Sequence, residues 1–346
     1  MSPKSIIIIS LFTLMGCDDF IASSDTTTDE VHYTLGVSVS NAIGNPYFQT
    51  GYDVYQNFAD THPESKILLN DAEEDSQAQV QALQKMVEQG AQALIVNMVD
   101  TSEASTILQM ARNANIPVVF WDRKPSDTEL FGYKNAVFIG GDNTQAGVVQ
   151  GLSVLSAWNT HPEWDRNSDG VIQYAVLQGI PGVANTIART KWSISTLTSY
   201  PELGTPVEEI FNETAMYSSD EANKVTERWL NHPDSRNIEV ILANNDSMAI
   251  GSIDAQRKYN FFIPTFGIDA TPEAEKLMAE GELAGTVLND AVTQAEVSIQ
   301  AAINLINGLP ANKNTDYHLS YQEIAVPYRE VPNTNINQVK SEVPTF

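Results

Sequence analysis

Oxygen-bearing side chains recur at Asp165, Asn167, Asp169 and Gln173 within the stretch Trp164-Asp165-Arg166-Asn167-Ser168-Asp169-Gly170-Val171-Ile172-Gln173. Val171 adds a backbone carbonyl, and Gly170 stands where a loop turning sharply around a cation needs unusual backbone angles. The spacing matches the first nine positions of an EF-hand calcium loop, with ligands at one, three, five, seven and nine. The twelfth position, which needs a bidentate Glu, holds Val176 inside the apolar run from Val171 to Leu177. Either the loop is a solvated Asp/Asn turn without metal, or its last carboxylate comes from elsewhere in the chain. The loop runs into a strand-like segment rather than a helix, so it is not half of an EF-hand pair.

A second group of residues has the chemistry to hold a ring of hydroxyls. It comprises Asn45, Tyr47 and Phe48; Asp122 and Arg123; Asn185 and Arg189; Tyr217; Asn245 and Asp246; Asp269; and Asn289 and Asp290. Carboxylates, amides and guanidinium groups can donate to or accept from each hydroxyl, and flat aromatics can pack on the C–H faces of a pyranose. Phosphate-plus-metal, Ser/His/Asp and redox-cofactor signatures are missing from this group. Some members have a simpler reading as helix caps, Asp142 and Asp246 foremost.

These residues lie just past the ends of a regular series of elements. Thr34–Val39 reads as a strand, Tyr47–Asp60 as a helix, Lys66–Leu69 as a strand and Ser76–Gln89 as a helix. Ala93–Asn97 and Val118–Trp121 read as strands flanking a helix over Thr101–Ala114. After Asp142 come helix Gln145–Trp158, strand Gln173–Leu177, helices Ala184–Thr198 and Asp220–His232, and strand Val240–Leu242. Helix Ser247–Tyr259, strand Thr265–Ile268, helix Pro272–Gly281, strand Gly285–Leu288 and helix Ala291–Gly308 complete the series. Strand–helix alternation implies parallel sheets covered on both faces, with ligands outside the carboxyl ends of the strands. The expected organisation is one lobe over 32–141 plus 291–324 and a second over 142–288 plus 327–346. The chain would cross between them near Gly141, Leu288 and Val326.

Upstream of the lobes, Met1-Ser2-Pro3-Lys4 precedes the apolar run Ile6–Leu14, an export signal too short to span a membrane comfortably. Leu14-Met15-Gly16-Cys17 resembles a bacterial lipobox, and Cys17 is the only cysteine, so no internal disulfide can form. Residues 1–17 are read as a lipoprotein signal peptide with Cys17 lipidated, and polar residues 18–31 as a tether. Asp18 resembles the signal that keeps such proteins on the inner membrane, so the body is expected in the periplasm. The 346-residue chain has 44 acidic and 19 basic residues, a net charge of −25, which repels phosphate backbones and argues against nucleic acid.

The whole set resembles the periplasmic glucose/galactose-binding proteins of ABC sugar importers, in the ribose-binding-protein-like group. The matching stretches are Ile95–Asp100, Ile116–Phe120, Trp164–Gln173, Ile238–Asp246, Phe266–Asp269 and Ala284–Asp290. The resemblance implies an α/β fold of two Rossmann-like lobes joined by a three-segment hinge, the type I periplasmic binding protein. It implies that Glu239 completes a structural calcium site with Asp165, Asn167, Asp169, the Val171 carbonyl and Gln173. It places Arg189, Asn245, Asp269 and Asn289 where hydroxyls are held, and Tyr217 where the family stacks a Trp. Departures fall elsewhere: a His-Pro-Asp triplet becomes Val183-Ala184-Asn185, a hydroxyl-reading Asp gives way to Gly44 or Asn45, and an Asn becomes Asp122. Asn45-Pro46-Tyr47-Phe48 and Asp122-Arg123 are instead similar to ribose-binding proteins. The implied partners are a monosaccharide and an inner-membrane permease, with a chemoreceptor as an open option, for a monomeric protein.

Rival classes make distinct demands. A LacI-type regulator needs an N-terminal helix-turn-helix where this chain has an export signal. A sugar-processing enzyme could pair Asp122 with Asp269, but Arg123 and Arg189 are expected to keep both ionised, and a general acid needs a raised pKa. A receptor for a furanosyl quorum signal shares the fold and the export logic.

Overall fold

The computed structural model describes residues 33–199 and 206–334. The export signal, Cys17, the tether over 18–31 and the tail beyond 334 lie outside the described residues. No helix among the described residues is long and apolar enough to cross a membrane.

The first sheet forms from β1 (Thr34–Val39), β2 (Lys66–Asp71), β3 (Ala93–Val96), β4 (Val118–Trp121) and β5 (Ala136–Gly140). The intervening helices are α1 (Pro46–Thr61), α2 (Ser76–Glu88), α3 (Ala104–Ala114) and α4 (Asp127–Phe131). The second sheet is built from β6 (Ile172–Gln178), β7 (Val207–Thr214), β8 (Val240–Ala243) and β9 (Thr265–Phe266). Around it run α5 (Asn143–Thr160), α6 (Ala184–Ser199), α7 (Ser219–Leu230), α8 (Asp246–Tyr259) and α9 (Pro272–Ala279). The described residues continue through β10 (Val287–Leu288), α10 (Ala291–Ile306), β11 (Leu319–Ser320), β12 (Glu323–Ala325) and β13 (Arg329–Glu330).

The strands pair as two separate sheets, of order β11-β12-β5-β4-β3-β1-β2 and β7-β6-β8-β9, plus the small β10–β13 ladder. Within the two sheets every pair is parallel except β11–β12. This is the α/β class, with two mostly parallel sheets. The chain passes between the sheets three times: from β5 into α5, from β10 into α10, and from β12 to β13. Helix α10 packs on α1 and on β3, β4 and β5, so it returns to the first sheet.

Burial explains these strands. All residues of β3, β4 and β5 are buried. Apolar clusters then cover both faces of the first sheet, one including Leu35, Tyr55 and Trp121, the other Leu83, Ile107 and Phe120. The second sheet is likewise flanked by two clusters, around Trp229 and around Trp164.

Several local expectations need correction. The helix expected from Thr101 begins as a 3-10 turn, Thr101–Glu103, and turns α-helical at Ala104. Strand β5, helix α4 and strand β7 were not anticipated. β5 is a five-residue apolar run without a period to identify it. β7, Val-Glu-Glu-Ile-Phe-Asn-Glu-Thr, is an edge strand whose outward carboxylates mask its alternation. Asp142 does cap α5, accepting from Thr144 N, whereas Asp246 is no cap. Asn245 caps α8 by accepting from Met248 N, and Asp246 is the buried first residue of that helix.

Candidate functional site

Each sheet has one point where successive strands depart in opposite directions: between β1 and β3 in the first, and between β6 and β8 in the second. Crevices open at such switch points, past the carboxyl ends of the strands. Tyr47 and Phe48 follow β1, Tyr217 follows β7, and Asn245 follows β8.

Arg189, on α6, is the best-anchored member of the set. Its Nη1 donates to the Asn244 carbonyl at 2.8 Å and its Nη2 to the Tyr328 hydroxyl at 3.1 Å. Nη2 also lies 3.3 Å from Asp269 Oδ1, and both side chains are buried. Nε of Arg189 is buried and has no hydrogen-bond partner.

From Asp269 a chain of contacts runs to the first sheet. Asn289 Nδ2 donates to Asp269 Oδ1 at 3.4 Å, and Gln294 Nε2 donates to Asn289 Oδ1 at 2.7 Å. Gln294 Oε1 accepts from the Tyr47 hydroxyl at 3.0 Å and from Trp121 Nε1 at 3.1 Å. Tyr47 and Trp121 stack at 6.1 Å, and Phe48 meets both edge-on. Arg123 donates to the carbonyls of Met98 and Val99 at 2.9 and 2.7 Å, with its guanidinium 5.3 Å from the centre of the Phe48 ring. The hydroxyl of Tyr217 accepts from Thr186 Oγ1 at 2.9 Å. Its ring lies where a side chain at Gly179 would begin, 2.2 Å from an added Cβ, so only glycine fits there. Asp122, Tyr217 and Asp269 all have positive φ, 61°, 57° and 127°. Side chains tolerate such backbone only where surrounding structure enforces it, a condition concentrated at binding sites.

Asp122, Arg189, Tyr217 and Asp269 sense one another's charge, so the structure gathers them into one cluster with Tyr47. Asn45 and Asn245 lie at its margin as caps of α1 and α8, each with its Oδ1 committed to a backbone N–H. Asn185 is half-buried in the first turn of α6, next to Thr186. A groove of about 880 Å³ between α2 and α3 contains none of these residues.

The expectation that the arginines keep both aspartates ionised leaves out burial, which acts the other way on each carboxyl. Burial raises Asp269 to about 7 despite Arg189, and raises Asp122 despite Arg123 and Arg189. Asp246 is raised by burial to about 6, although Thr271 N and Oγ1 and Thr286 Oγ1 all donate to it. In the unfolded chain these groups return to the ordinary range near 4. Between about pH 4 and pH 7 the folded state therefore holds protons that the unfolded state has lost, and stability falls as pH rises through that window. With calcium held constant, the melting temperature of the ligand-free protein is expected to drop from pH 5 to pH 7.5. Asp269→Asn should flatten that slope; an equally steep slope in the variant would reject the assignment.

Residues that the sequence reading overlooked hold the cluster in place: Trp121, Gln294 and Tyr328, all buried. Gln294 carried a signal, an amide on the mostly apolar buried face of α10.

The loop Asp165–Gln173 folds on itself. Asp165 accepts from Asp169 N at 3.1 Å and Gly170 N at 2.9 Å, and Asn167 Oδ1 accepts from Asp169 N at 2.9 Å. Asp169 accepts from Val171 N, Gln173 Nε2 and Asn167 Nδ2, which holds its carboxyl below the usual range. Ser168 and Gly170 take positive φ. Glu239, buried just before β8, reaches this loop from 66 residues away. It accepts from Arg166 N at 2.8 Å and Gln173 N at 3.4 Å. Gln173 Oε1 is buried with no partner. No three His, Cys, Asp or Glu side chains converge on a point among the described residues. A cation here would have to draw on amide and carbonyl oxygens as well. Calcium accepts such a mixed oxygen set, and the orphaned Gln173 oxygen and the buried Glu239 carboxylate fit that requirement.

The family model described as periplasmic binding protein domain matches residues 35–310. The D-galactose/methyl-galactoside binding periplasmic protein MglB of Haemophilus influenzae is 36% identical over 271 residues, covering 78% of this chain and 81% of that protein. The ribose import binding protein RbsB of Bacillus subtilis is 24% identical, covering 89% of this chain and 94% of its own. An ABC transporter solute binding protein from Bacillus halodurans C-125, solved with bound myo-inositol, superposes with a TM-score of 0.72 at 27% identity. That match covers 90% of this chain and 98% of the solved one.

Proposed function

The chain belongs to the periplasmic binding protein domain family, a family of transport binding proteins and not of enzymes, and we propose that it captures one neutral monosaccharide for an ABC importer. The observation that carries the reading is the buried Arg189, whose unpaired Nε sits in a cluster with Asp269, Asn289, Tyr47 and Tyr217. A neutral polyol satisfies such a site without adding net charge, and removal of water strengthens each charged hydrogen bond to its hydroxyls. The relatives' ligands, galactoside, ribose and myo-inositol, support a polyhydroxylated ring as the class. In this reading the two sheets head two lobes that rotate about the three passages to enclose the ligand. Tyr217 packs on one face of the ring and Tyr47 or Phe48 on the other. The calcium loop stiffens the second lobe through Asp165, Asn167, Asp169, the Val171 carbonyl, Gln173 and Glu239. Cys17 anchors the body by lipid to the inner membrane, beside the permease that receives the sugar.

A thermal-shift panel of D-galactose, D-glucose, D-ribose and myo-inositol on purified protein tests this reading. At least one compound is expected to raise the melting temperature at submillimolar concentration and to be recovered unchanged. Silence of the whole panel at millimolar concentration would overturn the sugar-carrier assignment and favour a furanosyl signal.

A further inference from the structure

We infer that Tyr328 is a positioning residue for the ligand site, seating the Arg189 guanidinium and tying it to all three passages between the sheets. Tyr328 lies on the third passage, between β12 and β13, and is 3% exposed. Its hydroxyl accepts from Arg189 Nη2 at 3.1 Å and donates to Asn143 Oδ1 at 3.1 Å. Its backbone N donates to Gln145 Oε1 at 3.0 Å. Asn143 and Gln145 open α5, so these bonds join the third passage to the first. The ring presses on Gly141, where an added Cβ would stand 2.2 Å away. The guanidinium lies 5.8 Å from the centre of the same ring. The second passage joins through Asp269, which touches Arg189 on one side and Asn289 on the other.

The Tyr328 hydroxyl therefore holds Nη2 together with Asp269 Oδ1, while the Asn244 carbonyl takes Nη1 and Nε has no hydrogen-bond partner. A guanidinium held at both terminal nitrogens cannot turn about its Cζ–N bonds, so the direction of its Nε–H is set in advance. Because Tyr328 is fixed to the first passage, a rotation of the sheets that disturbs Asn143 or Gly141 also turns Arg189. Site geometry and passage geometry become one variable, which is how ligand contacts can bias closure.

This deepens the sugar-site reading and rests on it only for affinity; the orientation of Arg189 is measurable without any sugar. In the ¹⁵N-labelled protein, with the Arg189 signal assigned through Arg189→Lys, the terminal guanidinium nitrogens are expected to rotate slowly. Tyr328→Phe keeps the ring and removes the hydroxyl, leaves Nη2 to the longer Asp269 contact alone, and should measurably speed that rotation. Asn143→Ala serves where Tyr328→Phe does not fold, and should speed rotation to a smaller degree. For whichever sugar the parent binds, Tyr328→Phe should weaken affinity about tenfold, the loss of one charge-assisted bond's orientation. Unchanged Arg189 rotation in a folded variant overturns the inference, whatever the protein binds. Faster rotation in a protein that binds none of the four panel compounds upholds it and defeats the sugar reading alone.

Discussion

Arg189→Met is expected to abolish sugar binding at micromolar concentration and to destabilise the ligand-free fold by about 3 kcal/mol, the lower end for breaking a buried charge pair. Methionine preserves much of the side-chain volume, so the loss is electrostatic rather than a cavity. Three partners lose a donor: the Asn244 carbonyl, the Tyr328 hydroxyl and Asp269. The lower end applies because Asp269, raised by burial to about 7, can take a proton instead of remaining as an isolated buried charge. The penalty should accordingly shrink at pH 5 relative to pH 8. Adding Asp269→Asn to the Arg189 variant should recover part of the stability but none of the binding. Chemical denaturation at both pH values and isothermal titration with the best panel sugar supply the measurements. Retained affinity in the single variant would remove Arg189 from the site.

Chelation should produce the largest change in thermal stability. In excess calcium, a cation bound only by the folded chain at about a thousand times its Kd contributes about 4 kcal/mol. For a protein of this size that corresponds to roughly 6 °C in melting temperature. EDTA is expected to remove that increment and added calcium to restore it. Glu239→Gln keeps the shape and takes away one buried carboxylate, so it should melt near the chelated parent and respond little to EDTA. Arg166, whose guanidinium nitrogens are buried without hydrogen-bond partners, places a positive charge near Glu239. A melting temperature indifferent to EDTA would reduce the loop to an Asp/Asn turn.

How much of this was legible in the chain depends on whether the deciding force is local. Strands β1 and β4 have the bounds that their apolar runs suggest, because a buried parallel strand must be apolar along its length. Helices α1, α2 and α6 begin and end within a few residues of their patterns, since periodicity and caps act over a single turn. The calcium-type spacing is likewise local, and its incompleteness was visible as Val176.

Tertiary structure decided the rest. Whether Asn245 or Asp246 caps α8 turned on one residue of register, set by Asp246 being drawn inside to Thr271 and Thr286. β10 and β13 are two residues each and exist only because the third passage brings distant segments together. The upward shifts of Asp122 and Asp269 run against a reading of neighbouring charges, because desolvation scales with burial, and burial is a property of the packed molecule. Gln294 and Tyr328 were overlooked for the same reason. An amide in an apolar helix or a tyrosine after a proline has no defined partner until folding sets Asn289 and Arg189 within 3.1 Å of them. The sequence alone determined the residue types that could bind a sugar; which of them meet, and in what state of charge, came from packing that no local pattern encodes.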